Sequence, residues 1–171
     1  LNSSILEIRD LGKDREVLLN DGEGKSATVR GETILVALGR VPNTLGLGLE
    51  EIGVELERGA VKVDDRMRTN LKHIFAAGDV NGGYQFTHAA GYEGGIVVSN
   101  AVFRLPRKMD TTWMPWCTYT DPELASIGLN ERTANKAGIE TRIWTEAFAD
   151  NDRGRTEGEL EGRIKLILDR K

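Results

Sequence analysis

One cysteine, Cys117, stands in a chain of 171 residues. A lone thiol forms neither an internal disulfide nor a metal cluster, so neither device holds this fold together. Thiol scarcity of this kind suits a reducing compartment, and we expect a cytoplasmic protein. Prolines number only 4 against 20 glycines, a pattern of tight turns and close backbone approaches rather than of linker. No apolar stretch nears the roughly 18 residues of a spanning helix, and Leu1-Asn2-Ser3-Ser4 has neither the basic nor the apolar region of a signal peptide. Basic runs are also missing: net charge is −4, with Lys and Arg scattered among acids, which argues against nucleic-acid and membrane partners. The chain opens without Met and stops just after a strand-like run, so a segment of a longer protein is expected.

What is present fits a folded domain: hydrophobic residues make up 39% and charged residues 29%. Ile5–Ile8, Glu16–Leu19 and Ala27–Val29 read as strands of a small antiparallel meander, with Asn20–Lys25 as a turn. Thr33–Leu38 is a continuous apolar run closed by Gly39, as in a strand buried on both faces. Ala60–Asp64 reads as a short strand, and Ile74–Asp79 as a second buried strand. A helix is expected from about Thr87 to Phe103, ended by Leu105-Pro106. Beyond it, Trp116–Thr120 and Leu124–Gly128 read as strands around an Asp121-Pro122-Glu123 turn. Asn130 and Gly138 bracket a short helix. Ile139–Phe148 is a strand, Asp150–Glu161 a solvated polar loop, and Arg163–Leu168 a half-buried strand.

The segment Thr69–Val80 carries the chemistry. A buried strand there delivers an acid, Asp79, at its C-terminal end, where open α/β sheets hold ligands. Gly78 lets a ligand approach the backbone. The Asp79 carboxylate accepts hydrogen bonds from vicinal hydroxyls. A glycine-containing loop then leads to a helix N-terminus at Thr87-His88, whose N–H groups and dipole favour negative charge. A polyol grip followed by an anion-favouring helix start suits a flavin.

These residues resemble the second FAD motif of the pyridine nucleotide-disulfide oxidoreductases, the family of dihydrolipoamide dehydrogenase and mercuric reductase. Three more stretches are similar to the family in the same order: Leu35–Thr44, Gly59–Asp64 with Met67-Arg68-Thr69, and Tyr119–Glu131. The resemblance implies an α/β fragment in three parts. These are the C-terminal tail of a NAD(P)-binding domain (1–38), the second segment of a split, Rossmann-like FAD-binding domain (39–108) and the first part of an α+β dimerisation domain (109–171). It implies that Asp79 meets the ribityl chain of FAD, that Gly39, Arg40 and Gly78 lie near the cofactor, and that the backbone of Phe86, Thr87 and His88 faces the flavin pyrimidine. It also implies NAD(P)H as co-substrate and a homodimer or other self-association. Trp116–Glu123 is most similar to the mercuric reductase-like branch.

The family's redox cysteine pair, its first FAD glycine motif, its NAD(P) glycine motif and its C-terminal His-Glu pair do not occur in these residues. We therefore expect no catalytic residue and no metal site here, and an inactive polypeptide taken alone. A stand-alone, non-catalytic dimeric interaction module is the competing expectation, and a flavin-free α/β domain a third. Plainer roles stand beside the individual residues. Asp79 is otherwise a loop-capping acid, and Arg40 the partner of a neighbouring acid. The His88 ring is satisfied by solvent or backbone, His73 is solvated, and Cys117 is a small packed hydrophobe. Trp113 and Trp116 are either interface anchors or buried within the chain.

Overall fold

A computed structural model describes residues 2–169, which fall into two compact units that divide between Arg40 and Val41. The first unit is the expected meander. Strands β1 (Ser4–Asp10), β2 (Arg15–Asn20) and β3 (Ser26–Gly31) pair antiparallel in sequence order. The central strand is half-buried along its length while its neighbours are exposed. Asp21 builds the β2–β3 turn: its Oδ1 accepts from the N–H groups of Glu23 at 3.0 Å and Lys25 at 2.7 Å. Across the ladder Glu16 faces Arg30, and the two ion-pair at 2.7 Å.

Thr33–Leu38 departs from its expected form. It is irregular, with Leu35 89% and Leu38 83% exposed. A doubly buried strand needs a ladder partner and cover on both faces, and among the described residues no strand pairs with this run.

The second unit opens with a two-stranded hairpin, β4 (Leu56–Glu57) and β5 (Ala60–Val61). Its turn residues Arg58 and Gly59 have φ of 52° and 82°, the left-handed pair that matches strand twist. The strand expected over Ala60–Asp64 is thus shorter. Asp64 organises the next turn: its Oδ1 accepts from the N–H groups of Arg66 and Arg68, and its Oδ2 from the Arg68 guanidinium.

Ile74–Asp79 is not a strand either. A single bridge joins Phe75 to Arg68, and Ala76 N–H donates to the Met67 carbonyl at 3.1 Å. The segment is extended and guided by this narrow hairpin, again without a sheet around it among the described residues. A 3₁₀ turn (Asp79–Asn81) and helix α1 (Thr87–Ala101) come next. The helix stops two residues short of Phe103, and Asn100 fastens its end by donating to the carbonyls of Arg66 and Arg107 while accepting from Arg107 N–H. Its buried face is Ala89, Glu93 and Ile96, and the other buried apolar residues of the region are Val54, Ala60, Val61 and Met67.

The remainder matches expectation in part. Strands β6 (Trp116–Thr118) and β7 (Leu124–Ser126) form a hairpin, and helix α2 (Glu131–Lys136) starts on Asn130, whose capping box with Thr133 satisfies donors in both directions. Strands β8 (Thr141–Ala147) and β9 (Arg163–Asp169) pair antiparallel. Two corrections arise here. The polar stretch Asp150–Glu161 holds a helix, α3 (Asp152–Glu157), capped by the Asn151 side chain and closed by Gly158 at φ 76°. Strand β9 is not half-buried: Ile164, Leu166 and Leu168 are all exposed. The register puts them on one face with Trp144, while Lys165, on the other face, pairs with Glu131 of α2. One face of this hairpin is therefore engaged and the apolar one is open.

Candidate functional site

The site grows from Gly78. Its φ of 81° and ψ of −160° lie in a region reserved for glycine. A Cβ placed there would meet the Ala90 Cβ at 3.2 Å, so the backbone lies directly against the first turns of α1. The chain then rolls into the 3₁₀ turn, with Asn81 N–H donating to the Gly78 carbonyl at 3.0 Å and Gly82 N–H to the Asp79 carbonyl at 3.2 Å. Gly82 approaches β5 closely enough that a Cβ would come within 2.8 Å of the Ala60 Cβ. This turn holds Asp79 exposed at its head, while Gly78 beneath it is buried.

The fastening comes from inside the helix. Glu93 is 1% exposed. Its Oε2 accepts from Gly78 N–H at 2.6 Å and from the Asn81 side-chain amide at 2.8 Å. The Asn81 Oδ1 in turn accepts from Gly83 N–H at 2.9 Å. Burying a carboxylate is costly unless donors surround it, and here both of these donors belong to the turn that carries Asp79. Glu93 and Asn81 were not among the residues singled out by sequence. A signal existed: Glu93 is a lone acid on an apolar helix face, with Ala89, Ala90, Ile96 and Val97 at the three- and four-residue spacings.

The helix N-terminus is the other part. Phe86 occupies the N-cap with extended backbone and offers no side-chain oxygen to the first-turn N–H groups. The Phe86 ring stacks on Tyr84 and on His88, the latter at 5.3 Å between centroids and 10° between planes. His88 Nε2 lies 2.7 Å from the Pro115 carbonyl oxygen. A carbonyl only accepts, so Nε2 carries the proton. The ring is thus held by backbone, the plainer role expected of it. Thr87 and His88 are both exposed.

Gly78, Asp79, Phe86, Thr87 and His88 all belong to the second unit, around the start of α1. Gly39 (φ 109°) and Arg40 close the first unit, and both are exposed. Trp113 is 68% exposed, with its ring edge against Gly128, and Cys117 is half-buried in β6.

The chain as a whole has counterparts in known proteins. The family profile described as pyridine nucleotide-disulphide oxidoreductase matches residues 1–94, and that family's dimerisation domain matches residues 114–171. The chain belongs to the pyridine nucleotide-disulphide oxidoreductase family. Among curated relatives, a dihydrolipoyl dehydrogenase of Bacillus subtilis is 36% identical over 86% of this chain and 31% of the relative. A mercuric reductase of Staphylococcus aureus is 34% identical over 95% of this chain and 30% of the relative. Among solved structures, LpdA of Mycobacterium tuberculosis matches with a TM-score of 0.86 at 27% identity, over 99% of this chain and 36% of that one. The HOCl-induced flavoprotein disulfide reductase RclA of Escherichia coli, solved as a Cu(II) complex, matches with a TM-score of 0.84 at 29% identity, over 98% and 37%. The chain spans about a third of the length of these relatives. The resemblance read from the four sequence stretches is therefore the family relationship, and the α/β fold class stands with it. Members of this family are FAD- and NAD(P)-dependent oxidoreductases. Among the described residues no helix is long and apolar enough to cross a membrane.

Proposed function

We propose that this chain supplies the later half of an FAD site in an enzyme that passes electrons from NAD(P)H to a disulfide, a dithiol or a metal ion. One observation carries the reading: a glycine-only turn, fixed against α1, holds Asp79 exposed close to a helix start whose N–H groups lack a side-chain cap. The residues fit a flavin. Asp79 would accept from the hydroxyls of the ribityl chain. The backbone at Phe86, Thr87 and His88 would face the pyrimidine edge, where the helix dipole favours the charge of the reduced ring. Gly78 is assigned as a neighbouring contact. Bound FAD would supply hydride acceptance and electron relay; the residues here bind and orient it. The one cysteine, Cys117, offers no dithiol, so these 171 residues are expected to be inactive alone. By this reading they divide into a NAD(P)-domain tail (1–38), an FAD-domain segment (39–108) and the start of a dimerisation domain (109–171).

The test is titration of the purified chain with FAD, followed by dialysis. A flavin absorbance band that survives dialysis, and that weakens on Asp79→Ala, supports the assignment; no retention by the parent chain refutes it for this polypeptide. A second reading, a non-catalytic self-associating module, draws on the open apolar face of β8 and β9 formed by Trp144, Ile164, Leu166 and Leu168. A colourless but stable dimer would favour it.

A further inference from the structure

We propose that Glu93 is a positioning residue for the cofactor site: it locks the turn from Gly78 to Asn81 and thereby fixes the direction in which Asp79 is presented. This rests on the flavin reading of that site. Glu93 sits in the middle of α1, is 1% exposed, and is flanked on its face by the buried Ala89 and Ile96. Its Oε2 holds two donors at once, Gly78 N–H at 2.6 Å and the Asn81 amide at 2.8 Å, from the two ends of the turn that encloses Asp79. Asn81 passes the restraint on, since its Oδ1 accepts from Gly83 N–H at 2.9 Å. The 3₁₀ turn has no side-chain cap of its own. A three-residue turn with a glycine on either side has little intrinsic stiffness. The rigidity that a hydrogen-bonding carboxylate needs to meet a polyol in one geometry is thus brought in from the helix, as a supporting shell does for any preorganised contact. Glu93 does not touch the ligand in this scheme; it acts through Gly78 and Asn81.

The conservative and the truncating variants separate this role from mere filling of space. Glu93→Gln keeps an oxygen able to accept both bonds, whereas Glu93→Ala keeps none. The 171-residue chain and its variants would be titrated with FAD by fluorescence, with helix content followed by far-UV circular dichroism and amide exchange read at Gly78. Glu93→Ala is expected to weaken FAD binding by on the order of tenfold or more and to speed exchange at Gly78, while Glu93→Gln stays within roughly threefold of the parent. Asn81→Ala, which leaves α1 intact and removes one donor, is expected to fall between them and keeps the test valid should Glu93→Ala lose helix content. Unchanged FAD binding in Glu93→Ala or Asn81→Ala overturns the positioning role and leaves the flavin reading standing. A parent chain that does not bind FAD overturns the flavin reading instead; exchange at Gly78 then decides the lock alone, and no acceleration in Glu93→Ala overturns it.

Discussion

Replacing Gly78 by alanine tests the geometry of the site at its most constrained point. Two costs arise from one added methyl. At φ 81° and ψ −160° a Cβ-bearing residue is strained, typically by about 1–3 kcal/mol. The methyl also lies 3.2 Å from the Ala90 Cβ, inside the roughly 3.5–4.0 Å at which carbons attract. Neither side yields easily: Ala90 is on the helix, and the turn is tied to that helix by Glu93. Overpacking of this kind costs about 1–3 kcal/mol, so the total is about 2–6 kcal/mol, or a fall in melting temperature of roughly 5–20 °C. Thermal melts followed by circular dichroism measure it. The double variant Gly78→Ala/Ala90→Gly divides the cost. Glycine in the helix loses about 1 kcal/mol by itself, yet it removes the crowding methyl. The double variant is therefore expected to be no less stable than Gly78→Ala, a coupling that simple addition would not give. A Gly78→Ala chain melting within about 1 °C of the parent would show that the turn neither needs glycine nor presses on the helix.

Ile96→Ala, at a side chain 1% exposed beneath the same helix, should cost about 2–5 kcal/mol in denaturant unfolding. Asn130→Ala removes the α2 capping box and should cost about 1 kcal/mol, read in the same way. Burial pushes the Asp64 carboxyl up, but the N–H groups of Arg68 and Arg66 and the Arg68 guanidinium outweigh it and hold the group below the ordinary aspartate range. A depressed folded value stabilises above the unfolded pKa of about 3.9 and is lost as pH falls through the folded value. Stability should therefore drop on acidification below that point, and Asp64→Asn should flatten this acid limb in pH-dependent melts. Leu166→Lys, on the open face of β9, should shift sedimentation towards smaller species at high protein concentration, with little change in melting temperature.

Local signals suffice where the local chain suffices. The β1–β3 meander needs only its own turns, and the Asp21 turn is written in the sequence. Helix α1 likewise carries its own apolar run, and α2 its own Asn130 cap. The α3 helix is hidden by its charge, although Asn151 and Gly158 bracket it as a cap and a left-handed stop. Thr33–Leu38 and Ile74–Asp79 mislead for the opposite reason. Their apolar runs are those of central strands, but a strand is defined by its neighbours, and no described residue supplies the ladder. The exposed apolar face of β9 reflects the same dependence.

The site shows how far such reasoning reaches. Gly78 and Asp79 stand out in the sequence because a strand-like run ending in glycine and an acid has few other uses. Glu93 does not, because its meaning lies in what packs above it rather than in its neighbours along the helix. Yet an acid surrounded at helical spacing by alanine, isoleucine and valine has only two physical outcomes: it faces water and breaks an otherwise buried face, or it is buried and answered by donors from elsewhere. Ala89 at 0% and Ile96 at 1% exposure on that face exclude the first. The donors then have to come from the segment crossing the helix, and the extended stretch guided by the Arg68–Phe75 bridge delivers the Gly78 N–H there. The acid that presents itself to solvent, Asp79, is held in place by one that does not.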